Sequence, residues 1–304
     1  MRQLSNTFLG RLLKDYELRG LLNYVRSDNT LDIEIRENCI NIYYRGGSAL
    51  KINQIDEKKF DFNFDENYFK TIASQLDMNV PVLNSETDWK IYFPHIKQAM
   101  DYWFTENPKE EREFQQLVVR ENNYSSISNS TDYFILDIEY DNRKNARFDM
   151  VAMEWKSDAS SRKLQKGYKP RLTIIEMKYG DGALKGSAGI KKHIKDFNHF
   201  MTCTDEVNEF KKEMLLVLRQ KRMLNLIPCL TQVYNPNEIT DFQDYIDLMF
   251  LLVNHDPASS ILRDEIQNLP DNILFAVSNF AGYGIYKENI FSLAQFKERF
   301  KIQI

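Results

Sequence analysis

Two segments, RFDMVAM (residues 147–153) and LTIIEMKYG (residues 172–180), each place charged side chains inside an otherwise apolar strand pattern. Residues two apart on a β-strand point to the same face, so Glu176 and Lys178 are expected to project together. If the two strands pair, Asp149 meets them at one end of a sheet. A carboxylate in an apolar strand is costly to bury unless it is paired or binds a metal, so these charges indicate a functional site.

The residue types at this site suit hydrolysis of a phosphodiester. Two converging carboxylates form an oxygen-rich site of the kind that Mg²⁺ prefers. Such a cation neutralises a phosphate oxygen and lowers the pKa of a bound water, and a neighbouring lysine orients that water or stabilises the developing charge. The alternative is a cross-strand salt bridge on a half-exposed sheet. Asp/Glu-x-Lys tripeptides recur at polar positions elsewhere in the chain, so the apolar setting of Glu176 and Lys178 matters more than the tripeptide.

Around these segments the pattern predicts an α/β fold, with a mixed sheet covered by helices. Pro108 suits the first turn of a helix, and glutamates follow it. Two nearly continuous apolar runs are typical of central strands that are buried on both faces. The predicted strands are 133–140, 146–155, 171–179, 246–254 and 273–278; the predicted helices are 187–201 and 206–223, and a short strand and a helix over 292–300 end the chain.

The first part of the chain reads as a separate α+β region. Helical spacing covers residues 6–24, and a three-stranded meander follows over 31–52, with turns at Glu37-Asn38 and Gly46-Gly47. Two more helices are predicted at 66–76 and 88–104. We therefore expect an N-terminal region over residues 1–105 and a second domain over residues 106–304.

The order of helix, strand, Asp149 strand, Glu176-Met177-Lys178 strand and helix resembles the PD-(D/E)XK nuclease superfamily, over roughly residues 108–280. The resemblance implies a restriction-endonuclease-like fold. It also implies that Asp149 and Glu176 hold Mg²⁺ or Mn²⁺ and that Lys178 is catalytic. The chain departs from the family pattern in two ways, because no proline precedes Asp149 and the interval to Glu176 is long.

Two further acidic residues are candidates for the same site. Members of the family often carry one on the helix before the first strand, and Glu113 is favoured over Glu110 and Glu121 because it lies one turn before the apolar Leu117. Glu139, on the first strand, either adds to the metal site or faces solvent. A competing register would combine Asp137 or Glu139 with Glu154 and Lys156. It is disfavoured because the last two fall at the polar end of their strand.

Positive charge is concentrated in the loop 156–171 and in the segment after the third strand, although the 304-residue chain has 40 basic and 44 acidic residues and a net charge of −4. A local basic patch is sufficient to hold a nucleic-acid backbone, and an ordinary solvated loop is the alternative. His193 either contacts phosphate or is a core or surface histidine. The residues predicted to bind nucleic acid are Lys163, Lys166, Lys169, Arg171, Lys185, Lys191 and Lys192.

Composition limits the class of protein. Hydrophobic residues make up 43% of the chain, which excludes global disorder. Three separated cysteines, no signal-peptide pattern and no long apolar run favour a soluble cytoplasmic protein without a membrane partner. The oligomeric state stays open, a homo-oligomer included. The sequence favours a Mg²⁺-dependent nuclease acting on nucleic acid, with DNA preferred. The rivals are an inactive nucleic-acid-binding or scaffold protein of the same fold and a partner-binding protein that uses its YYRGG hairpin (residues 43–47).

Overall fold

The structure is a computed structural model, and its chain divides into two compact units. The first consists of Met1–Gln116 together with Arg219–Leu226, and the second of Leu117–Leu218 together with Ile227–Ile304. The predicted boundary lies at residue 105, whereas the observed division falls between Gln116 and Leu117, inside the helix Glu110–Asn123. The residues described are 1–14, 16–70, 89–124, 128–144, 146–161, 167–233, 239–278 and 282–302.

The first unit contains a four-stranded antiparallel sheet in the order β1-β2-β3-β4. It confirms the predicted meander and adds a fourth strand. The predicted helix over 66–76 is observed as a single turn, and its remainder lies outside the described residues. The elements are α1 (Asn6–Lys14), α2 (Tyr16–Ser27), β1 (Leu31–Arg36), β2 (Cys39–Tyr44), β3 (Gly47–Gln54), β4 (Phe60–Asn63), α3 (Asn67–Lys70), α4 (Trp89–Glu106) and the first half of α5 (Glu110–Asn123).

The YYRGG hairpin packs against helices of its own unit. Arg45 and Gly46 have positive φ angles of 49° and 72°, which a two-residue hairpin turn requires. A side chain at position 46 would meet the Arg112 backbone, because a Cβ there would lie 2.3 Å from the carbonyl carbon. The Gly46 N–H donates to Gln116 Oε1 at 2.6 Å. The turn therefore lies at Arg45-Gly46, one residue before the predicted Gly46-Gly47, and Gly47 is the first residue of β3. The contacts at Gly46 account for this glycine by packing within the unit.

The second unit contains a six-stranded mixed sheet in the order β10-β9-β8-β7-β6-β5. Strands β5, β6 and β7 are antiparallel, β7, β8 and β9 run parallel, and β10 is antiparallel to β9. This confirms the predicted mixed sheet. Its elements are the second half of α5, β5 (Tyr133–Asp141), β6 (Arg147–Glu154), β7 (Leu172–Tyr179), α6 (Ile190–Thr202), α7 (Thr204–Met223, whose last five residues belong to the first unit), α8 (Pro228–Val233), β8 (Ile246–Val253), α9 (Ser260–Glu265), β9 (Leu274–Ser278), β10 (Ile290–Ser292) and α10 (Leu293–Arg299).

Strand β7 is buried along most of its length because helices cover the sheet. Leu172 and Ile174 lie in one apolar cluster with Ile190 and Ile194 of α6. The alternation of a strand continues that face of β7 through Glu176. The predicted central strand β8 is confirmed, since all eight of its residues are buried. Among the described helices, none combines the length and the apolar composition needed to cross a membrane.

Candidate functional site

The structure brings Asp149 and Glu176 together at one end of the β6–β7 pair. The register pairs Met150 with Ile175, and one further step along both strands places Asp149 level with Glu176. The Met177 backbone N–H donates a hydrogen bond to Asp149 Oδ2 at 2.9 Å. The predicted pairing of the two charged strands is therefore confirmed, and it places both carboxylates in the second unit.

Lys178 and His193 both approach the Glu176 carboxylate. Lys178 Nζ lies 3.8 Å from Glu176 Oε2, and the two side chains are only 3% and 2% exposed. The Nδ1 atom of His193, on α6, lies 2.9 Å from the same oxygen. Such deep burial is uncommon for charged side chains and requires close polar partners. A carboxylate, a lysine and an imidazole therefore form one cluster on the helix-covered face of the sheet.

The favourable contacts of Asp149 do not offset the cost of ionising its carboxyl group in this cluster. Burial, followed by repulsion from Glu176, raises the pKa of Asp149 to about 7, although Lys178 and the Met177 N–H act in the opposite direction. Protein surrounds most of this carboxyl group, although part of its surface is accessible to solvent. Burial and the nearby Lys178 charge lower the pKa of His193. A neutral imidazole supplies no net charge, so a further cation between the two carboxylates would relieve their repulsion.

The donor set fits a magnesium ion that keeps much of its water. Mg²⁺ retains several waters in proteins and commonly uses only one or two carboxylates. Asp149 and Glu176 supply two, and their mutual repulsion favours a cation between them. Within the ranges that the structure describes, no cluster of three or more His, Cys, Asp or Glu side chains is arranged to hold a metal. The site is thus suited to a largely hydrated hard cation and not to a closed protein cage.

The positions of the other acidic candidates separate the two possible registers. Glu139 falls level with Asp149 in the β5–β6 register and has a positive φ of 50°. Its metal-binding role stays a prediction. Glu154 pairs instead with Tyr133, at the far end of the same strands. Five residues separate Glu154 from Asp149 along β6, which is about 16 Å at strand spacing. The competing register with Glu154 and Lys156 is therefore not assembled.

Glu113 lies in the first unit, where Arg45 binds it. The Arg45 guanidinium donates from Nε to Glu113 Oε1 at 2.9 Å and from Nη2 to Oε2 at 3.2 Å. It also donates from Nη1 to Asp101 at 3.0 Å and lies over the Phe104 ring. These contacts give Glu113 a structural role in holding the hairpin turn, and its predicted catalytic role is not tested by them.

The expectation that the loop 156–171 flanks the carboxylates is wrong for the two ends of the loop that the structure describes, residues 156–161 and 167–171. This loop joins the end of β6 to the beginning of β7, whereas Glu176 lies near the other end of β7. Arg171 lies five residues before Glu176, about 16 Å away at strand spacing. Arg171 Nη1 lies 3.1 Å from Asp247, and both residues line a cavity of about 760 Å³ at that end of the sheet. Lys169 Nζ lies 2.8 Å from Asp241; Lys163 and Lys166 lie outside the described residues.

The segment after β7 adjoins the site, but acidic groups compensate two of its three predicted lysines. Lys192 forms an ion pair with Asp196 one helix turn later. Lys191 Nζ lies 3.8 Å from Glu265 and donates to the Asp264 carbonyl at 2.9 Å. Lys185 is exposed and forms no ion pair within the described part of the chain. It is therefore the one of the three whose charge no acidic side chain of the described residues compensates.

The comparisons with known proteins do not identify a relative. No protein-family model matches the sequence, and neither the curated proteins nor the solved structures contain a significant match to the chain. The functional interpretation therefore rests on the residues of the second unit and their geometry.

Proposed function

We propose that the second unit is a metal-dependent nuclease of the PD-(D/E)XK type, with a restriction-endonuclease-like fold. The observation that supports this most directly is the convergence of Asp149, Glu176 and Lys178 at one end of paired strands, with Glu176 and Lys178 almost fully buried. A salt bridge that served stability alone gains little from such burial, because the cost of removing two charges from water often exceeds their attraction. Functional sites are where such arrangements concentrate.

Each residue has a separate role in the proposal. Asp149 and Glu176 bind Mg²⁺ or Mn²⁺, and the bound cation supplies charge neutralisation at the phosphate and an acidified water. Asp149 is oriented by the Met177 N–H, so its geometry does not depend on the lysine. Lys178, 3.8 Å from Glu176, supplies a positive charge that would orient the attacking water and stabilise the negative charge of the transition state.

Nucleic acid is the proposed substrate, and DNA is the preferred form. Lys185 lies on the segment that follows the charged strand, and it is exposed and without an acidic partner within the described residues. The ion pairs of Lys169, Arg171, Lys191 and Lys192 reduce the basic patch to fewer phosphate contacts than the sequence indicates. A small number of phosphate contacts implies affinity that is weak and falls modestly with salt.

The test is incubation of the full chain with single-stranded DNA, double-stranded DNA and RNA, in the presence of Mg²⁺, Mn²⁺ or EDTA. We expect cleavage with either cation, none with EDTA, and loss of at least 100-fold in rate for Lys178→Ala. Arg299→Ala, a substitution of a basic residue near the chain's end, controls for the loss of a positive charge. Cleavage by Lys178→Ala at the wild-type rate would contradict the proposal.

The same samples, with nucleic-acid binding and metal binding measured beside cleavage, distinguish an inactive module of the same fold. The mutual pairing of Glu176 and Lys178 and the compensated lysines also suit a protein that binds without turnover. Binding to nucleic acid without cleavage under any of these conditions, together with no detectable metal binding, would favour this second candidate.

A further inference from the structure

We propose that the second unit holds a separate binding site for a free amino acid, in the cavity at the end of the sheet away from Asp149 and Glu176. This cavity has a volume of about 760 Å³, and all the residues that line it belong to the second unit. Small-molecule sites in proteins commonly have volumes of about 300–1,000 Å³. Arg171 lines the cavity and lies about 16 Å from Glu176 at strand spacing, so the two sites are distinct. Binding at this cavity does not depend on the proposed nuclease function.

Asp247 is a buried carboxylate in the lining of the cavity. It is the one charged residue of β8, whose other residues are apolar, and its side chain is only 8% exposed. Within the described residues it shares one hydrogen bond with Arg171, from Nη1 to Oδ2 at 3.1 Å. Burial raises the pKa of Asp247 and outweighs this ion pair. A buried carboxylate that is only partly compensated gains from a positively charged ligand group beside it.

Arg171 supplies the opposite charge to the same lining, in a fixed orientation. Its Nε donates to Gln243 Oε1 at 3.3 Å, and its guanidinium lies over the Tyr245 ring, 5.6 Å from the centroid. Together with the Asp247 contact, these interactions hold the plane of the guanidinium. Nη2 donates no hydrogen bond within the part of the chain that the structure describes. Arg171 therefore has donors left for a ligand carboxylate, which a guanidinium binds through two parallel N–H groups.

The lining carries charges of both signs in nearly equal number. Four carboxylates and three basic groups line the cavity, and they are Asp132, Glu154, Asp158, Asp247, Lys156, Arg171 and Lys287. This near balance disfavours a polyanion such as a nucleic-acid backbone or a nucleoside triphosphate, because the carboxylates repel it. It favours a small ligand that itself has both charges, since the ammonium group of a zwitterion pairs with a carboxylate while its carboxylate pairs with a basic group.

Two of the four carboxylates already accept hydrogen bonds from nearby serines. Asp132 Oδ1 accepts from the N–H and the hydroxyl of Ser157, at 2.8 and 2.7 Å. Asp158 accepts from two backbone N–H groups of its own turn, at 3.1 and 2.8 Å. The nearest lysine lies 3.7 Å from Glu154, which is beyond hydrogen-bonding distance. Glu154 and Asp247 are therefore the expected partners of the ligand's ammonium group.

Apolar side chains complete the lining. Leu274 of β9 and Ile290 of β10 line the cavity and are partly exposed, and Tyr133 adds a buried ring. Lys287 is exposed and forms no ion pair within the described residues, so it adds a positive charge to that of Arg171. A large apolar side chain on the ligand would cover the apolar surface. We therefore expect leucine, isoleucine, methionine or phenylalanine to bind more tightly than glycine or the charged amino acids.

Isothermal titration calorimetry of the full chain with each of the twenty standard amino acids tests the site. We expect at least one large apolar amino acid to bind at millimolar concentration or below. Its N-acetyl and amide derivatives each lack one of the two charges and should bind about 10-fold more weakly or worse, because a hydrogen bond between charged groups is lost. Asp247→Asn should weaken binding by about 10-fold or more. Asp271→Asn, at an exposed position outside the lining, is the matched control and should bind as wild type does.

Three outcomes would overturn the proposal. The first is that the wild-type protein binds none of the twenty amino acids. The second is equal affinity for an amino acid and for its amide or N-acetyl derivative, which shows that the site does not recognise both charges. The third is unchanged affinity in a folded Asp247→Asn variant, which places the ligand elsewhere. Circular dichroism establishes whether that variant is folded; if it is not, the two derivatives decide the question with the wild-type protein. None of these measurements uses cleavage, so their failure is distinguishable from failure of the proposed nuclease.

Discussion

The backbone N–H of Met177 donates a hydrogen bond to the Asp149 carboxylate across the β6–β7 pair, at 2.9 Å. One member of the charged cluster is therefore oriented by the main chain, while Glu176 is contacted by side chains. The hydrogen bond stabilises ionised Asp149, but burial and the Glu176 charge outweigh it and leave the pKa near 7. The arrangement keeps an unfavourable negative charge in place, which is expected of a site that binds a cation and is costly to the folded protein.

Asp149→Asn should stabilise the protein in the absence of metal. The pKa of Asp149 is about 7 in the folded protein, against about 4 for an unfolded Asp, so the folded state binds more protons and loses stability as the pH rises from 4 to 7. Thermal unfolding in EDTA should show Asp149→Asn more stable by on the order of 4 kcal/mol at pH 8, with the difference shrinking towards pH 4. Asp271→Asn, at an exposed position, is the control. A variant that is less stable than wild type at pH 8 would contradict the raised pKa.

Lys185→Ala should weaken DNA binding more than Lys192→Ala. Lys185 forms no ion pair within the described residues, whereas Lys192 is compensated by Asp196, so only the first removes an available positive charge. Fluorescence anisotropy at several salt concentrations, in Ca²⁺ to limit cleavage, measures the effect. We expect the dependence of log affinity on log salt to fall by about 1 for Lys185→Ala and to change little for Lys192→Ala. Equal effects of the two variants would mean that the Lys192–Asp196 ion pair opens when the protein binds DNA.

The strands and their apolar faces could be predicted from the sequence because the signal is local. Periodicity and apolar runs place β5 to β9 within two residues of the observed bounds, and the charges inside β6 and β7 indicate the site. The ion partners could not be predicted in this way. Asp241 lies 72 residues from Lys169, and Glu265 lies 74 residues from Lys191. A local sequence pattern does not indicate such pairs, because only the tertiary fold brings them together.

His193 and Glu113 illustrate the same limit within the candidate site. The sequence places His193 on the helix after the charged strand, but its approach to Glu176 depends on how that helix packs against the sheet. Glu113 lies on the expected helix and is favoured by the position of Leu117, yet the structure pairs it with Arg45, 68 residues away. Helical phase indicates which face of a helix is buried, and it does not indicate which element covers that face.

Glu113→Gln should destabilise the first unit and leave cleavage intact. The Arg45 guanidinium binds Glu113 through two hydrogen bonds at the hairpin turn, and both side chains are about one third exposed. Loss of one charge from a partly exposed bidentate pair costs about 1 kcal/mol. Chemical denaturation measures the stability, and the cleavage assay measures the rate. Loss of cleavage at unchanged stability would instead support the catalytic role that the sequence predicts for Glu113.

Lys221→Met should destabilise the first unit strongly. Lys221 Nζ donates to Glu34 Oε1 at 2.7 Å, and both side chains are almost completely buried. Removing the lysine takes the 2.7 Å partner away from a buried carboxylate, whose contact with Arg36 is longer, at 3.8 Å. Breaking a buried ion pair in this way costs about 3 kcal/mol or more. The double variant Glu34→Leu/Lys221→Met removes both charges and should recover most of the loss. The denaturant midpoints of Lys221→Met, of Glu34→Leu and of the double variant measure this recovery. If the losses of the two single variants simply add in the double variant, the expected recovery is absent.

A fragment of residues 1–105 should not fold on its own. The segment Arg219–Leu226 belongs to the first unit and supplies Lys221 to Glu34. It also supplies Gln220, whose side-chain amide accepts from the Leu4 N–H and donates to the Leu4 carbonyl, both at 2.8 Å. A fragment that ends at residue 105 lacks the lysine that pairs with buried Glu34 and the Gln220 side chain that pairs with both backbone groups of Leu4. Because the net stability of native proteins is small, these losses should prevent folding.

Circular dichroism and amide dispersion in proton NMR spectra should therefore show an unfolded chain. The full-length protein measured under the same conditions is the control, and cooperative unfolding of the fragment would restore residue 105 as a domain boundary.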